Sequence, residues 1–269
     1  MKRAGAIFLV FFLVVYILPL GMRPIIIPDE SRYSETPREM IASGDWISPK
    51  LMGIRYFEKP VFGYWLNAAS MSLFGQNNFA NRLPAAVAAG VSALLLMFLL
   101  ASRAGTRTGL IAAGILLSSI LVFVLGTFNV LDGPFSMCIT GTMVFFFMAY
   151  SEGDKRRRIV MLCLCGVFCG LAFLTKGFLA FALPAIVVAP FLVWERRWKA
   201  FLTMPWIPAL AALLIALPWC VMIAIREPDF WNYFFWVEHV GRFIKPGQPQ
   251  HPEPFWYFVP LLTSSTSLL

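Results

Sequence analysis

Apolar residues in this chain come in long blocks, with neither the period-two alternation of a strand nor the narrow stripe of a soluble amphipathic helix. Blocks of spanning length lie at about 4–20, 82–101, 109–127, 134–150, 159–175, 178–194 and 204–225. Each approaches the ~20 residues that a helix needs to cross ~30 Å of hydrocarbon. An eighth block begins at 255 and reaches the last residue, 269, too short a run to cross. The pattern predicts an all-α, multi-pass transmembrane helical bundle making a single domain over 1–269. Helices satisfy their own backbone groups, which lipid demands. The first block follows Met1-Lys2-Arg3 and resembles the start of a signal peptide. However, Ile17-Leu18-Pro19-Leu20-Gly21-Met22 offers no small-x-small cleavage site, so the block reads as an uncleaved first span.

Two long polar segments interrupt the blocks, at about 23–81 and 226–254. In the first, Pro28-Asp29-Glu30-Ser31-Arg32-Tyr33-Ser34-Glu35 places acids where a helix begins, with Asp29 as a candidate N-cap, and Gly44 provides a stop after Ser43. Tyr33, Met40 and Ile41 give this helix an apolar side suited to lying on the bilayer, and Pro37 predicts a kink or two short pieces. A second amphipathic stretch follows at 61–74. The expectation is therefore a bundle with amphipathic juxtamembrane helices in its first outer loop.

Composition narrows the class. Of 269 residues, 59% are hydrophobic and 13% charged, against about a quarter charged in soluble domains. Soluble globular, disordered, collagen-like and disulfide-scaffold classes are thereby excluded. The net charge of +8 raises the question of nucleic acid. No Lys/Arg stripe with interleaved aromatics supports that partner, and none is expected. The basic residues instead alternate with the spans. Lys2, Arg3, Arg103, Arg107, Lys155 to Arg158, Arg196, Arg197 and Lys199 fall in one set of short loops, 11 cations against the three acids Glu152, Asp154 and Glu195. The other 11 cations share the long segments and span ends with the other 11 acids. Basic short loops mark the cytoplasmic side, so the N-terminus is expected in the cytoplasm and the long segments outside. The five cysteines all lie in apolar blocks, where thiols pack as small apolar groups.

Nearly all the acids and both histidines fall on that outer side. Asp29 and Arg32 are three apart and share a helix face. Asp29 suits a general base or a partner for developing positive charge on a sugar, and equally suits a simple helix cap. Lys59, in Arg55-Tyr56-Phe57-Glu58-Lys59-Pro60 ahead of an amphipathic stretch, suits a phosphate, or snorkels at the interface. Lys176 between two apolar blocks presents the same pair of readings. Glu58, Asp132, His239 and His251 offer carboxylate and imidazole donors from separate loops, a set that suits a divalent metal, zinc by its donor types; hydrogen bonding explains the histidines as well. Trp46, Trp65, Trp231, Trp236 and Trp256 lie near span borders, as an interfacial belt does.

Several stretches together carry a resemblance: Pro28 to Tyr33, Arg38-Glu39-Met40-Ile41-Ala42-Ser43-Gly44-Asp45-Trp46, Tyr56-Phe57-Glu58-Lys59-Pro60, Asn129-Val130-Leu131-Asp132, and Phe230-Trp231-Asn232-Tyr233-Phe234-Phe235-Trp236-Val237-Glu238-His239. Over essentially its whole length the chain resembles the bacterial aminoarabinose transferases of lipid A modification. These belong to the C-type glycosyltransferases that use lipid-linked sugars, along with the protein O-mannosyltransferases. The resemblance implies a multi-pass enzyme of the bacterial inner membrane with its active site facing the periplasm. It would take 4-amino-4-deoxy-L-arabinose from undecaprenyl phosphate, invert the anomeric centre, and attach the sugar to lipid A phosphate, giving resistance to polymyxin and other cationic peptides. Membrane lipids surround it. By the same resemblance Asp29 is catalytic, with Asp132 a further active-site acid. Arg32, Lys59, Lys176 and Arg242 would hold phosphate, while Glu58 and His239 would take the metal; His251 is a further metal donor by its residue type alone. The family continues through further spans into a soluble periplasmic domain, so this chain reads as a C-terminally truncated form. An inactive remnant of the family, a protein O-mannosyltransferase-like enzyme and a transporter of lipid-linked sugar are the alternatives. No internal repeat supports the last.

Overall fold

The computed structural model describes residues 2–241 and Trp256. Arg242 and His251 lie outside the described residues. The first block is α1 (Lys2–Phe12), extended by a π turn (Leu13–Ile17) and a 3₁₀ turn (Leu18–Gly21) that contains Pro19. The polar segment after it folds as α2 (Asp29–Ser43), a hairpin of β1 (Lys50–Leu51) and β2 (Ile54–Arg55), and α3 (Phe62–Phe74). Gly44 ends α2 in the left-handed region, as its place in the sequence predicts.

Two expectations for α2 are corrected. Pro28 rather than Asp29 occupies the cap position, and no side chain caps the helix. Pro37 does not split it, because the carbonyl that Pro37 leaves without a donor, Tyr33 O, accepts from Asn67 Nδ2 on α3 at 2.9 Å. The buried face of α2 comprises Glu30, Ser34, Thr36, Pro37 and Met40. That face is largely polar and packs into the protein against α3 and β1 rather than onto lipid.

The remaining helices are α4 (Asn78–Ala104), α5 (Thr106–Ser118), α6 (Ile120–Thr127), α7 (Asp132–Tyr150), α8 (Lys155–Lys176), α9 (Leu179–Trp194), α10 (Trp198–Thr203), α11 (Trp206–Arg226) and α12 (Phe230–Asn232), the last running into a π segment at Tyr233–Gly241. Among the described residues α4, α7, α8 and the stretch Trp198–Arg226 are each long and apolar enough to cross a membrane. The chain is an integral, multi-pass membrane protein. The span expected at 109–127 is broken, with α5 and α6 meeting at 69°. Ser119 is extended at the break, and Tyr16 Oη donates to Leu117 O at 2.6 Å, taking up a carbonyl that the helix ladder has released. The stretch Gly5–Gly21 and α9 are apolar but shorter. Helices α8 and α11 pack closely. A Cβ at Gly166 would sit 2.3 Å from Pro208 O, and one at Gly170 2.8 Å from Ala212 O, so this small-xxx-small face lets the two backbones touch.

Three apolar clusters organise the bundle: one of α1, α4 and α5, one at the α7–α8–α9–α10 end carrying Lys155 to Arg158, and the largest beneath the α2–hairpin–α3 segment. The last includes Met40, Phe57, Tyr64, Phe173, Trp219 and Phe234, and it forms the floor of the polar site.

Candidate functional site

The site begins with a carboxylate that is completely buried. Glu30 receives Arg82 Nε and Nη2, each at 2.7 Å, Arg23 Nη1 and Nη2 at 2.9 and 3.1 Å, and the backbone N–H groups of Ile26 and Asn129 at 2.9 Å. Burial pushes its carboxyl up, but Arg82, the two backbone donors and Arg23 outweigh it and hold the group at about 2. Arg82, itself buried, also donates to the carbonyls of Leu20, Arg23 and Pro24. One ion-pair cluster thus ties the end of the first apolar block, the start of α2, the start of α4 and the turn before α7. Asn67 joins in, donating to Asn129 Oδ1 at 2.8 Å, while Asn129 Nδ2 donates to Ser34 Oγ.

This cluster fixes both candidate acids, because Asp29 precedes Glu30 and Asp132 follows Asn129 by three residues. The Asp29 side chain is half exposed and pairs with Arg32 one turn on. Arg32 Nη1 reaches Tyr56 Oη at 3.5 Å, and Tyr56 Oη donates to Glu58 Oε2 at 2.9 Å. Burial first, and then the hydrogen bond to Glu58, push the Tyr56 phenol well up. Lys59 Nζ donates to Glu58 O at 3.1 Å and lies 3.8 Å from Glu238 Oε2 on the π segment. On the other side Lys176, at the last turn of α8, donates to Asp132 Oδ1 at 2.7 Å. The Tyr33 phenol lies between the two sides, within electrostatic reach of Asp29, Arg32, Glu58 and Asp132; burial raises it to about 12. The sequence-predicted residues Asp29, Arg32, Glu58, Lys59, Asp132 and Lys176 therefore surround one polar basin.

His239 closes the basin beside Lys176. Its ring packs on Phe234 and Phe178, and Nε2 lies 3.0 Å from where a Cβ on Gly177 would be. Gly177 has a positive φ of 72° there, so a side chain is disfavoured twice over. Nδ1 is 2.7 Å from Phe234 O. A carbonyl only accepts, so Nδ1 donates to it, and in the neutral ring Nε2 is the acceptor, the usual arrangement of a ligating imidazole. Among the described residues, however, no three His, Cys, Asp or Glu side chains converge as a metal site. Glu58 and His239 supply two donors where a zinc site takes three or four.

Glu30, Arg23, Arg82, Asn67 and Glu238 escape a reading of the sequence. Arg82 gives the one usable signal, a guanidinium at the edge of an apolar block, which lipid tolerates only when it is paired.

Relatives share this architecture. A transferase of Aeromonas salmonicida named undecaprenyl phosphate-alpha-4-amino-4-deoxy-L-arabinose arabinosyl transferase is 45% identical over 252 residues, covering 93% of this chain and 46% of the relative. Its namesake in Serratia proteamaculans is 44% identical over 267 residues, covering 98% and 48%. The crystal structure of ArnT from Cupriavidus metallidurans bound to undecaprenyl phosphate superposes with a TM-score of 0.92 at 29% identity, over 99% of this chain and 49% of that one. The chain spans about half the length of the curated relatives it matches. Residues 3–234 match the model of the dolichyl-phosphate-mannose-protein mannosyltransferase family, and the chain belongs to that family.

Proposed function

We propose that the protein is a glycosyltransferase of the bacterial inner membrane that moves 4-amino-4-deoxy-L-arabinose from undecaprenyl phosphate to a phosphate of lipid A, lowering the anionic charge that polymyxin exploits. The observation that carries this reading is the basin itself, where Arg32, Lys59 and Lys176 stand around Asp29 and Asp132 at the membrane-proximal end of the bundle. Such an arrangement suits two phosphates and one cationic sugar. The names of the relatives and the undecaprenyl phosphate bound to the structural neighbour point the same way.

In this reaction an acceptor phosphate oxygen forms a bond to the anomeric carbon, while the bond from that carbon to the donor phosphate oxygen breaks, inverting the centre. The acceptor is already an anion, so no strong base is needed. Lys59 and Lys176 stabilise charge on the leaving phosphate, and Arg32 steadies the Asp29 carboxylate. Asp29 faces the positive charge that develops on the sugar and orients its amine. Arg242 is assigned to the same phosphate. Glu58 and His239 are assigned to a divalent cation, zinc by donor type, with His251 a further donor; bound there, the ion would neutralise phosphate charge. Metal analysis of the purified chain against His239→Ala tests that assignment, and equal metal content in both would refute it.

The decisive experiment is mass spectrometry of lipid A from a transferase-deleted strain expressing residues 1–269. The expected result is an aminoarabinose adduct that Asp29→Asn abolishes. An adduct that persists in Asp29→Asn sinks the catalytic assignment, and no adduct from chain present in the membrane sinks the activity. The matching family is one of protein mannosyltransferases, which favours one competing reading, with Asp29 deprotonating a Ser or Thr hydroxyl. Mannosylation of a peptide acceptor would establish that reading instead.

The reading also sets the basin in the periplasm and the N-terminus in the cytoplasm. Lys155 to Arg158 begin α8 and Lys176 ends it, so the basic loops and the basin lie at opposite ends of a helix roughly 33 Å long.

A further inference from the structure

Along the flank of α8, between α9 and α11, lies a cavity of about 820 Å³ with almost wholly apolar walls. Phe178 and Trp231 bound it at the basin end, and Phe201, Met204 and Pro205 at the other. Helix α9 has 16 residues, a length of roughly 24 Å that falls short of ~30 Å of hydrocarbon. Its far end is the turn into α10, at the end of the bundle where α8 begins.

That end is strongly basic. Arg196, Arg197 and Lys199 occupy the turn from α9 into α10 and are exposed, as are Lys155 to Arg158 in the first turn of α8. Among the described residues none of these cations is in an ion pair. The nearby acids are partly committed to the backbone: Glu152 accepts from the N–H of Asp154, and Asp154 from that of Arg157. Glu195 leaves the turn still cationic. Four cations at a helix N-terminus also oppose the helix dipole, so helix energetics does not account for them. The basic turn adjoins the cavity: the Arg197 guanidinium lies 5.9 Å from the centre of the Tyr150 ring. Tyr150 belongs to the same apolar cluster as Phe201 and Met204, which line the cavity.

We propose that this cavity binds one anionic glycerophospholipid, with its hydrocarbon tail between α9 and α11 and its phosphate on the Arg196–Lys199 turn and the start of α8. A basic pocket between membrane helices is a recognised form of anionic head-group site. The head group sits at the opposite end of the bundle from the polar basin, so the site is distinct from that of a sugar donor and does not depend on the transferase reading.

The test is native mass spectrometry of the purified chain in neutral detergent, titrated separately with dioleoyl-phosphatidylglycerol and dioleoyl-phosphatidylcholine. The chain is expected to hold the anionic lipid about tenfold more tightly. Arg196→Gln/Arg197→Gln/Lys199→Gln brings the two lipids to parity, and Ala189→Phe, which fills the cavity, weakens both. Lys59→Ala/Lys176→Ala leaves the preference intact. If the triple variant loses its helical signal, the exposed pair Lys155→Gln/Arg156→Gln gives the same reading. Equal binding of the two lipids by the unaltered chain overturns the proposal, as does an unchanged preference in the charge variants. Loss of the preference in Lys59→Ala/Lys176→Ala would place the lipid phosphate in the basin and overturn it too.

Discussion

At the scale of single residues the molecule depends on Glu30. A carboxylate held at about 2 against an ordinary 4.5 contributes stability that is complete above pH 4.5 and is lost as the pH falls towards 2. Unfolding in detergent, followed by circular dichroism from pH 7 to 2.5, is expected to show that loss in the parent chain and not in Glu30→Gln. The variant should already be destabilised at pH 7 by about 3–5 kcal/mol, because it strands the buried Arg82 guanidinium and removes the partner of the half-buried Arg23. Asp29→Asn should leave the melting temperature unchanged, since the Asp29 side chain is half exposed and its partner Arg32 is also open to solvent. Adjacent acids thus have separable consequences, one for folding and one for chemistry. The sequence makes Asp29, Lys59 and Lys176 conspicuous because exposed charge beside a membrane is conspicuous. Glu30 passes for an ordinary first-turn acid, since what sets it apart is Arg82, 52 residues away.

Among the elements, the uniform α-helices are plain in the sequence and the interrupted ones are not. Hydropathy places α4, α7, α8 and α11 because lipid imposes a length and an apolar composition on a span. The break at Ser119 is invisible to hydropathy, because the residues on both sides are equally apolar and the reason for the bend is a tyrosine on another helix. Tyr16→Phe should loosen it by about 1 kcal/mol, readable as faster amide exchange at residues 117–121. The unbroken course of α2 through Pro37 is hidden for the same reason, since it needs Asn67. Asn67→Leu leaves two buried acceptors, Tyr33 O and Asn129 Oδ1, without their donor, a loss of about 1–3 kcal/mol each. A fall in melting temperature is the expected outcome, and an unchanged one would mean that α2 tolerates its proline unaided. Gly166→Leu should separate α8 from α11 and destabilise the bundle by about 1–3 kcal/mol or more.

For the whole molecule, the arrangement in the membrane is the quantity to test. Arg38→Cys near the basin and Arg157→Cys at the basic end, each with Cys163→Ser, should respond oppositely to a membrane-impermeant maleimide. The expected outcome in intact spheroplasts is labelling of the first alone, with the second labelled only after permeabilisation; the reverse would invert the bundle. The overall fold class and the sidedness pattern are legible from block lengths and loop charges. The convergence of the basin is not, because it joins segments as far apart as Lys59 and Glu238, and sequence spacing carries no distance at that range.

The Glu30 cluster also bears on the order in which the protein is made. Arg23, Glu30, Arg82 and Asn129 all precede α7, so one wall of the basin, including Asp29, has every partner it needs once α7 has left the ribosome. Lys176 and the π segment arrive later and add the opposite wall to a finished one. Nascent chains arrested beyond α7 should therefore already protect the 26–43 segment from protease, and Arg82→Ala should abolish that protection.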